Sequence, residues 1–188
     1  MDAISFPVLG ISQVTLKEFV RFWGRFYSTK YNEDTYKAKI GLPLTKKRTL
    51  ELFRWKNGKP LSAAMTRTIL RFLCEERFGP DFNAETLTKF LNMKGGAIWR
   101  IFWLHLQHPQ RFPIYDQHVH RAMAFMLKWP DLEIPQQDSE KIRKYLEVYR
   151  PFFDSFDDCK QREVDRALWS FGRFLKSDYG RIFDQPIE

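Results

Sequence analysis

The residues most capable of chemistry fall in one short stretch, 91–123, of this 188-residue chain. Asp116 stands just ahead of an apolar-periodic segment, with His118 and His120 following it. A fixed carboxylate there can stabilise positive charge developing on a carbon centre, or orient a water molecule. An aspartate in that place also reads as a helix N-cap, worth roughly 0.5–2 kcal/mol, and the helix dipole would keep it ionised. His118 and His120 are two residues apart, and side chains so spaced on a helix point in different directions. His105 and His108 show no metal-binding spacing either, so no metal site is expected. Upstream, Lys94-Gly95-Gly96 forms a turn between two helical segments. Glycines at a helix start can expose backbone N–H groups to one phosphate. The same turn also reads as an ordinary helix–turn–helix corner.

Helices must position these groups, because nearly every segment carries helical signals. Thr15 and Glu18 form a capping-box pattern, followed by Phe19, Phe22, Trp23 and Phe26 as one apolar stripe. A short helix is expected over 32–40, stopped by Gly41 and Pro43, and a third from Thr45 to Asn57-Gly58. Ser62 caps a fourth, which Gly79-Pro80 ends. Asn83 opens a helix that halts at Lys94, and the next runs over 97–106. After a Pro-rich loop, Asp116 caps a helix through Leu127. Ser139 caps another that ends near Tyr149, where Pro151 interrupts the chain. The last spans 161–175 and buries Val164, Leu168, Phe171 and Leu175. With no strand pattern and no internal repeat, the chain reads as all-α.

Composition narrows the partners. Lys and Arg outnumber Asp and Glu by 31 to 23, giving a net charge of +8 and a pI near 9.5. That balance favours a polyanion, nucleic acid before membrane. The run Lys46-Lys-Arg48 adds to it, or serves only as a solvated face. Aromatics at 16% can fill a core and still line a pocket. No apolar run approaches the roughly 20 residues that span a bilayer. The residues before Pro7 lack the pattern of a signal peptide. Cys74 and Cys159 lie far apart, read as reduced and helical, and are too few for an iron–sulfur cluster. A cytoplasmic protein is expected, nucleoid-associated in a bacterium or nuclear in a eukaryote.

Together these segments resemble the helix-hairpin-helix DNA glycosylases, the superfamily of endonuclease III and the adenine glycosylases. Its core is a Leu-Pro-Gly-x-Gly hairpin, a helix, then Val-Asp-Thr-His-Val-x-Arg. Ile114-Tyr-Asp-Gln-His-Val-His-Arg121 matches at Asp116, His118, Val119 and Arg121. Counting back without gaps places Lys94-Gly95-Gly96 on the hairpin. The segment Asp165-Arg-Ala-Leu-Trp-Ser-Phe-Gly-Arg-Phe174 is similar to the final family helix. These stretches cover about a quarter of the chain. Lys94 replaces the first hairpin glycine. Ile98 stands where bifunctional members carry a catalytic lysine, and Leu52-Phe-Arg-Trp-Lys-Asn-Gly58 looks unlike the segment that fills the gap of a flipped base.

The resemblance implies two helical lobes flanking a DNA-binding cleft. Residues 31–110 form the central lobe with the hairpin (91–106), and 1–30 pair with 111–188. It implies a monomeric, monofunctional glycosylase that flips a damaged, mispaired or modified base from double-stranded DNA and hydrolyses its N-glycosidic bond. Asp116 is the catalytic carboxylate. Lys94, Gly95, Gly96, Arg100, His118 and Arg121 are the DNA-binding residues. Ile98 offers no amine for a Schiff base, so no abasic-site lyase activity is expected. No cofactor is implied beyond a monovalent cation at the hairpin. Two alternatives stand beside this reading: a non-catalytic helix-hairpin-helix DNA-binding protein, and a basic helical module that binds RNA or protein.

Overall fold

Helix α6, Ala97–Gln107, sets the plan of the molecule. Its sequence is apolar on every side, and such a helix is stable only when neighbours surround it. In the computed structural model, which describes residues 14–27, 32–74, 78 and 83–178, Ala97 and residues 100–106 are all buried. Before it come α1 (Leu16–Trp23, extended by a 3-10 turn over Gly24–Phe26), α2 (Glu33–Lys37) and α3 (Lys46–Asn57). Helices α4 (Ala63–Cys74) and α5 (Ala84–Asn92) follow. After α6 come α7 (Gln117–Met126), α8 (Asp138–Lys144), α9 (Arg150–Asp154) and α10 (Gln161–Leu175). No strand occurs among the described residues, so the fold is all-α.

Rings from α3 and α4 enclose one side of α6. Phe53 meets Phe102 edge-on at 5.1 Å, and Phe72 stacks on Trp103 at 6.0 Å. Helix α8 covers another side. Elsewhere α10 is clasped between α7 and α1, with Phe19 and Trp23 seated on Phe171 at 5.4 and 4.9 Å. The buried residues form one continuous cluster, from Phe19 through Phe53 and Ile101 to Leu168.

Two core histidines bind the layers. His105 Nδ1 donates to the Phe112 carbonyl at 2.7 Å, so its Nε2 accepts from the Tyr36 hydroxyl, also at 2.7 Å. Burial pushes this imidazole down to about 3, and it stays neutral. His120 meets the Tyr115 hydroxyl in the same manner, with its own pKa pushed down by burial to about 4.

Most helix boundaries follow the local signals. Thr15 and Glu18 make both halves of the capping box, and Thr45, Ser62 and Asn83 each accept a backbone N–H at their helix starts. Gly58 closes α3 in the left-handed conformation (φ 66°). The expected stop at Gly79-Pro80 and the leader reading at residues 1–7 lie outside the described residues.

Four expectations need correction. Helix α2 ends at Lys37, and the chain continues to Ile40 as a turn. The stripe on α1 is split: Phe19, Val20 and Trp23 face inward, while Phe22 and Phe26 are exposed at 50% and 59%. Of the two cysteines expected to be helical, Cys74 closes α4 and is exposed, whereas Cys159 lies outside any helix, in the bend before α10. The helix expected to start at Ser139 and break at Pro151 instead starts at Asp138 and runs on to Asp154. Between Tyr145 and Tyr149 it widens into a π turn. That turn shifts the hydrogen bonding by one residue, which lets the chain absorb a proline lacking an N–H.

The tightest contact lies between α7 and α10. A Cβ on Gly172 would fall 1.8 Å from the His118 carbonyl oxygen, so the two backbones touch where only hydrogen fits. Gly172→Ala must therefore force the helices apart, at a cost of about 3 kcal/mol. Urea unfolding of the variant should show that loss of stability.

Candidate functional site

Asp116 caps α7 with one carboxylate oxygen and makes an ion pair with the other. Its backbone is extended (φ −162°), and Oδ1 accepts the amides of His118 at 2.9 Å and Val119 at 3.2 Å. This is a full N-cap. The other oxygen, Oδ2, accepts Lys56 Nζ at 2.6 Å, in an ion pair whose side chains are only 15% and 19% exposed. Lys56 comes from the last turn of α3, sixty residues earlier. Burial would push the Asp116 carboxyl up, but the Lys56 charge and hydrogen bond, with the amides, hold it below the ordinary carboxylate value.

The ion pair sits in a pocket of about 210 Å³. Aromatic rings make its walls: Phe53 of α3, Trp99 and Phe102 of α6, and Trp169 of α10. Phe53 and Trp99 stack nearly parallel on each other at 5.1 Å. Asn57, Ile98, Gln117 and His118 complete the lining. Apolar walls around a fixed charge raise the strength of any electrostatic interaction made inside. The His118 ring stands edge-on to Trp169 at 5.3 Å, and its Nδ1 has no hydrogen-bond partner among the described residues. Burial holds its imidazole below the ordinary value, partly offset by the nearby Asp116 carboxylate.

A second, smaller cavity of about 20 Å³ lies behind the pair. Lys56 and Asp116 line it too, together with Arg162 and Asp165 of α10. Arg162 is the centre of its own network, donating to Glu33 at 2.5 Å, Asp165 at 2.7 Å and the Tyr27 hydroxyl at 3.0 Å. Burial drives the Asp165 carboxyl up to about 6 despite the opposing Arg162 charge. Its second oxygen, Oδ1, is buried with no partner among the described residues.

No family model, curated protein or solved structure matches this chain. The site is therefore read from its own geometry.

The six residues expected to contact DNA divide. Lys94, Gly95 and Gly96 lie exposed in the turn between α5 and α6. Gly95 takes φ 114°, and a Cβ there would press on Phe72 and Thr68 at 3.0 Å. Gly96 is the N-cap of α6 and has no side chain to satisfy the first amides. Arg100 requires correction: it is 5% exposed, donates to the Leu91 carbonyl at 2.8 Å and pairs with Asp138 at 3.5 Å. Arg121 requires the same correction, being 2% exposed and bound to Glu133 at 2.6 Å and the Gly172 carbonyl at 3.3 Å. The Arg100 guanidinium ties the end of α5 to the start of α8, and that of Arg121 ties the last turn of α10 to the loop after α7, so both are engaged within the protein. His118 lines the pocket through its ring.

Sequence reading missed Lys56, Arg162, Asp165 and the rim cations. Phe53, Lys56 and Asn57 are spaced by three and one on α3, which puts them on one helical face. On α10 the exposed Arg173 lies over Trp169 at 5.4 Å, and the charge of Lys176 reaches His118. Among the described residues, no three His, Cys, Asp or Glu side chains gather to hold a metal, and no helix is long and apolar enough to cross a membrane.

Removing Lys56 should test the electrostatics directly. In Lys56→Met, burial is left to act on Asp116 with only the His118 ring and the Val119 amide against it. Carbon-detected NMR should show its carboxyl titrating higher than in the wild type. Asp116 is lowered in the folded state, so it contributes stability above the ordinary carboxylate pKa that is lost as pH falls through the folded value. That acid-side loss should shrink in the variant.

Proposed function

We propose that this protein is a monofunctional DNA glycosylase of the helix-hairpin-helix kind, with Asp116 as the carboxylate that faces the sugar. One observation carries the reading: an ionised, partly buried Asp116 stands on the wall of an aromatic pocket, rather than only at a helix end. Breaking an N-glycosidic bond builds positive charge on the sugar, and a fixed carboxylate in a low-dielectric site stabilises it. A carboxylate offers about four lone-pair positions, and Asp116 fills three of them. The fourth is left unfilled by the protein's own groups. The rings of Phe53, Trp99 and Trp169 offer stacking faces for an extruded base.

The same arrangement supports hydrolysis without lyase chemistry. Ile98 lines the pocket and brings no nucleophile. Lys56 is committed to Asp116 as an ammonium, which has three donors and no lone pair for attack. In this reading Lys94 and the Gly95-Gly96 amides at the start of α6, with Arg173 over Trp169 and Lys176 near His118, take the phosphates of double-stranded DNA. A compartment containing DNA, the nucleoid or the nucleus, follows from that substrate.

Base release from duplex oligonucleotides carrying uracil, hypoxanthine, alkylated purines, oxidised bases or mismatches tests this reading, with alkali used to reveal abasic sites. The wild type should release one class without strand cleavage before alkali, and Asp116→Asn should abolish release while duplex binding stays nearly intact. Silence of the wild type on every substrate, with salt-sensitive binding retained, would mark a non-catalytic DNA-binding protein in which Asp116 serves only as cap and ion-pair partner. Binding is dominated by phosphate contacts, so Arg173→Ala with Lys176→Ala should reduce the slope of log affinity against log salt by about two. By contrast, Arg100→Ala and Arg121→Ala should each lower unfolding stability by about 2 kcal/mol and leave that slope unchanged.

A further inference from the structure

The small cavity between Asp116 and Asp165 joins two carboxylates of opposite character. At about 20 Å³, it exceeds the roughly 10–15 Å³ that one water molecule needs. Four charged side chains are part of its lining: Lys56, Asp116, Arg162 and Asp165. A buried water typically makes about three hydrogen bonds, and the lining supplies them. One oxygen in the lining calls for such a bond. Asp165 Oδ1 is buried with no partner among the described residues, while Oδ2 is taken by Arg162 at 2.7 Å. The Asp165 side chain is 7% exposed. Buried acceptors without a protein partner are rare and are usually satisfied by water.

We propose that a water molecule in this cavity bridges Asp116 to Asp165, and that Asp165 takes up, through it, the proton released by hydrolysis at Asp116. The catalytic half of this proposal rests on the glycosylase reading. In the step itself, the attacking water's oxygen bonds to C1′ as the N-glycosidic bond breaks. The bonding pair leaves with the base, which takes a proton from solvent. The proton lost by the attacking water passes to the Asp116 carboxylate and onward across the bridging water to Asp165 Oδ1. Asp165 thus acts through Asp116 and does not touch the substrate.

The division of labour follows from surroundings. Asp116 is stabilised as an anion by Lys56 and two amides, so a proton that reaches it does not stay but moves on to Asp165. Asp165 faces Arg162 on its own helix, Lys56 from α3, Asp116 at the start of α7, Glu33 and Tyr36 from α2, Tyr27 beyond the 3-10 turn, and Tyr145 and Tyr149 of the π turn. Its burial leaves it titrating near 6, close to where a proton acceptor works best at neutral pH.

Two measurements on the full chain test the relay. The first is single-turnover base release against pH, using the oligonucleotide substrate found for the wild type. The wild-type rate should rise with pH through about 6, because protonated Asp165 cannot accept. Asp165→Asn keeps an acceptor for Arg162 but should erase that rise and lower the plateau about 10- to 100-fold. An unchanged pH profile in the variant would overturn the relay. The second is carboxyl titration by NMR, which needs no substrate. The Asp165 midpoint should fall in Asp116→Asn, since the neighbouring anion that raises it is gone. If no substrate is found, the glycosylase reading fails and the titration alone decides: linked midpoints support the bridged pair, and independent ones overturn it.

Discussion

The close approach of α10 to α7 is the constraint on which the site depends. At Gly172 the two helices touch backbone to backbone, and that contact fixes the phase of α10. Arg162, Asp165, Trp169 and Gly172 are spaced by three, four and three, so they lie along one side of the helix. Once Gly172 rests on the His118 carbonyl, the rest of that row must run past the N-terminus of α7. Trp169 then walls the pocket, Asp165 comes behind Asp116, and Arg162 reaches α2. A bulkier residue at 172 would displace all three.

Electrostatics at the site is a matter of how each charge is compensated. Lys56 and Asp116 satisfy each other while remaining partly open to the pocket. Arg162 is surrounded by the rings of Tyr36, Trp55 and Tyr27 at 4.6–5.2 Å, and by two carboxylates. Arg100 and Arg121 are enclosed more fully still. A strongly basic chain thus spends a good part of its positive charge on its own carbonyls and carboxylates. The charge left at the surface, not the total of +8, is what a polyanion would meet.

The fold was largely legible because its signals are local. Thr15 with Glu18, Thr45, Asn83, Gly58 and Asp116 each announce a helix end within four residues of sequence. Half of the site was legible for the same reason: Asp116 is visible as a cap, and a carboxylate at a helix start is a recognisable pattern. Its partner was not. Lys56 lies sixty residues away, and its place on the helical face of Phe53 and Asn57 does not say which carboxylate it meets. Arg100 and Arg121 misled for the opposite reason. An arginine beside a hairpin or in a glycosylase-like segment reads as a ligand for DNA, whereas the burial of these two follows from helix packing that sequence spacing does not encode. Pro151 misled by a rule with an exception, since a π turn removes the clash that the rule assumes.

That π turn also works as a vernier. In a regular α-helix, residues four apart drift about 40° around the axis at each step, so three such residues soon leave a common line. Tyr145, Tyr149 and Phe153 are spaced in this way, yet all three stay buried. The wider turn between the first two cancels most of one step's drift. Tyr145 and Tyr149 therefore come to rest against Tyr115 at 5.4 and 5.0 Å, with Phe153 beside Tyr149 at 5.8 Å. One misfit in hydrogen bonding keeps a column of rings aligned under the residue that precedes Asp116.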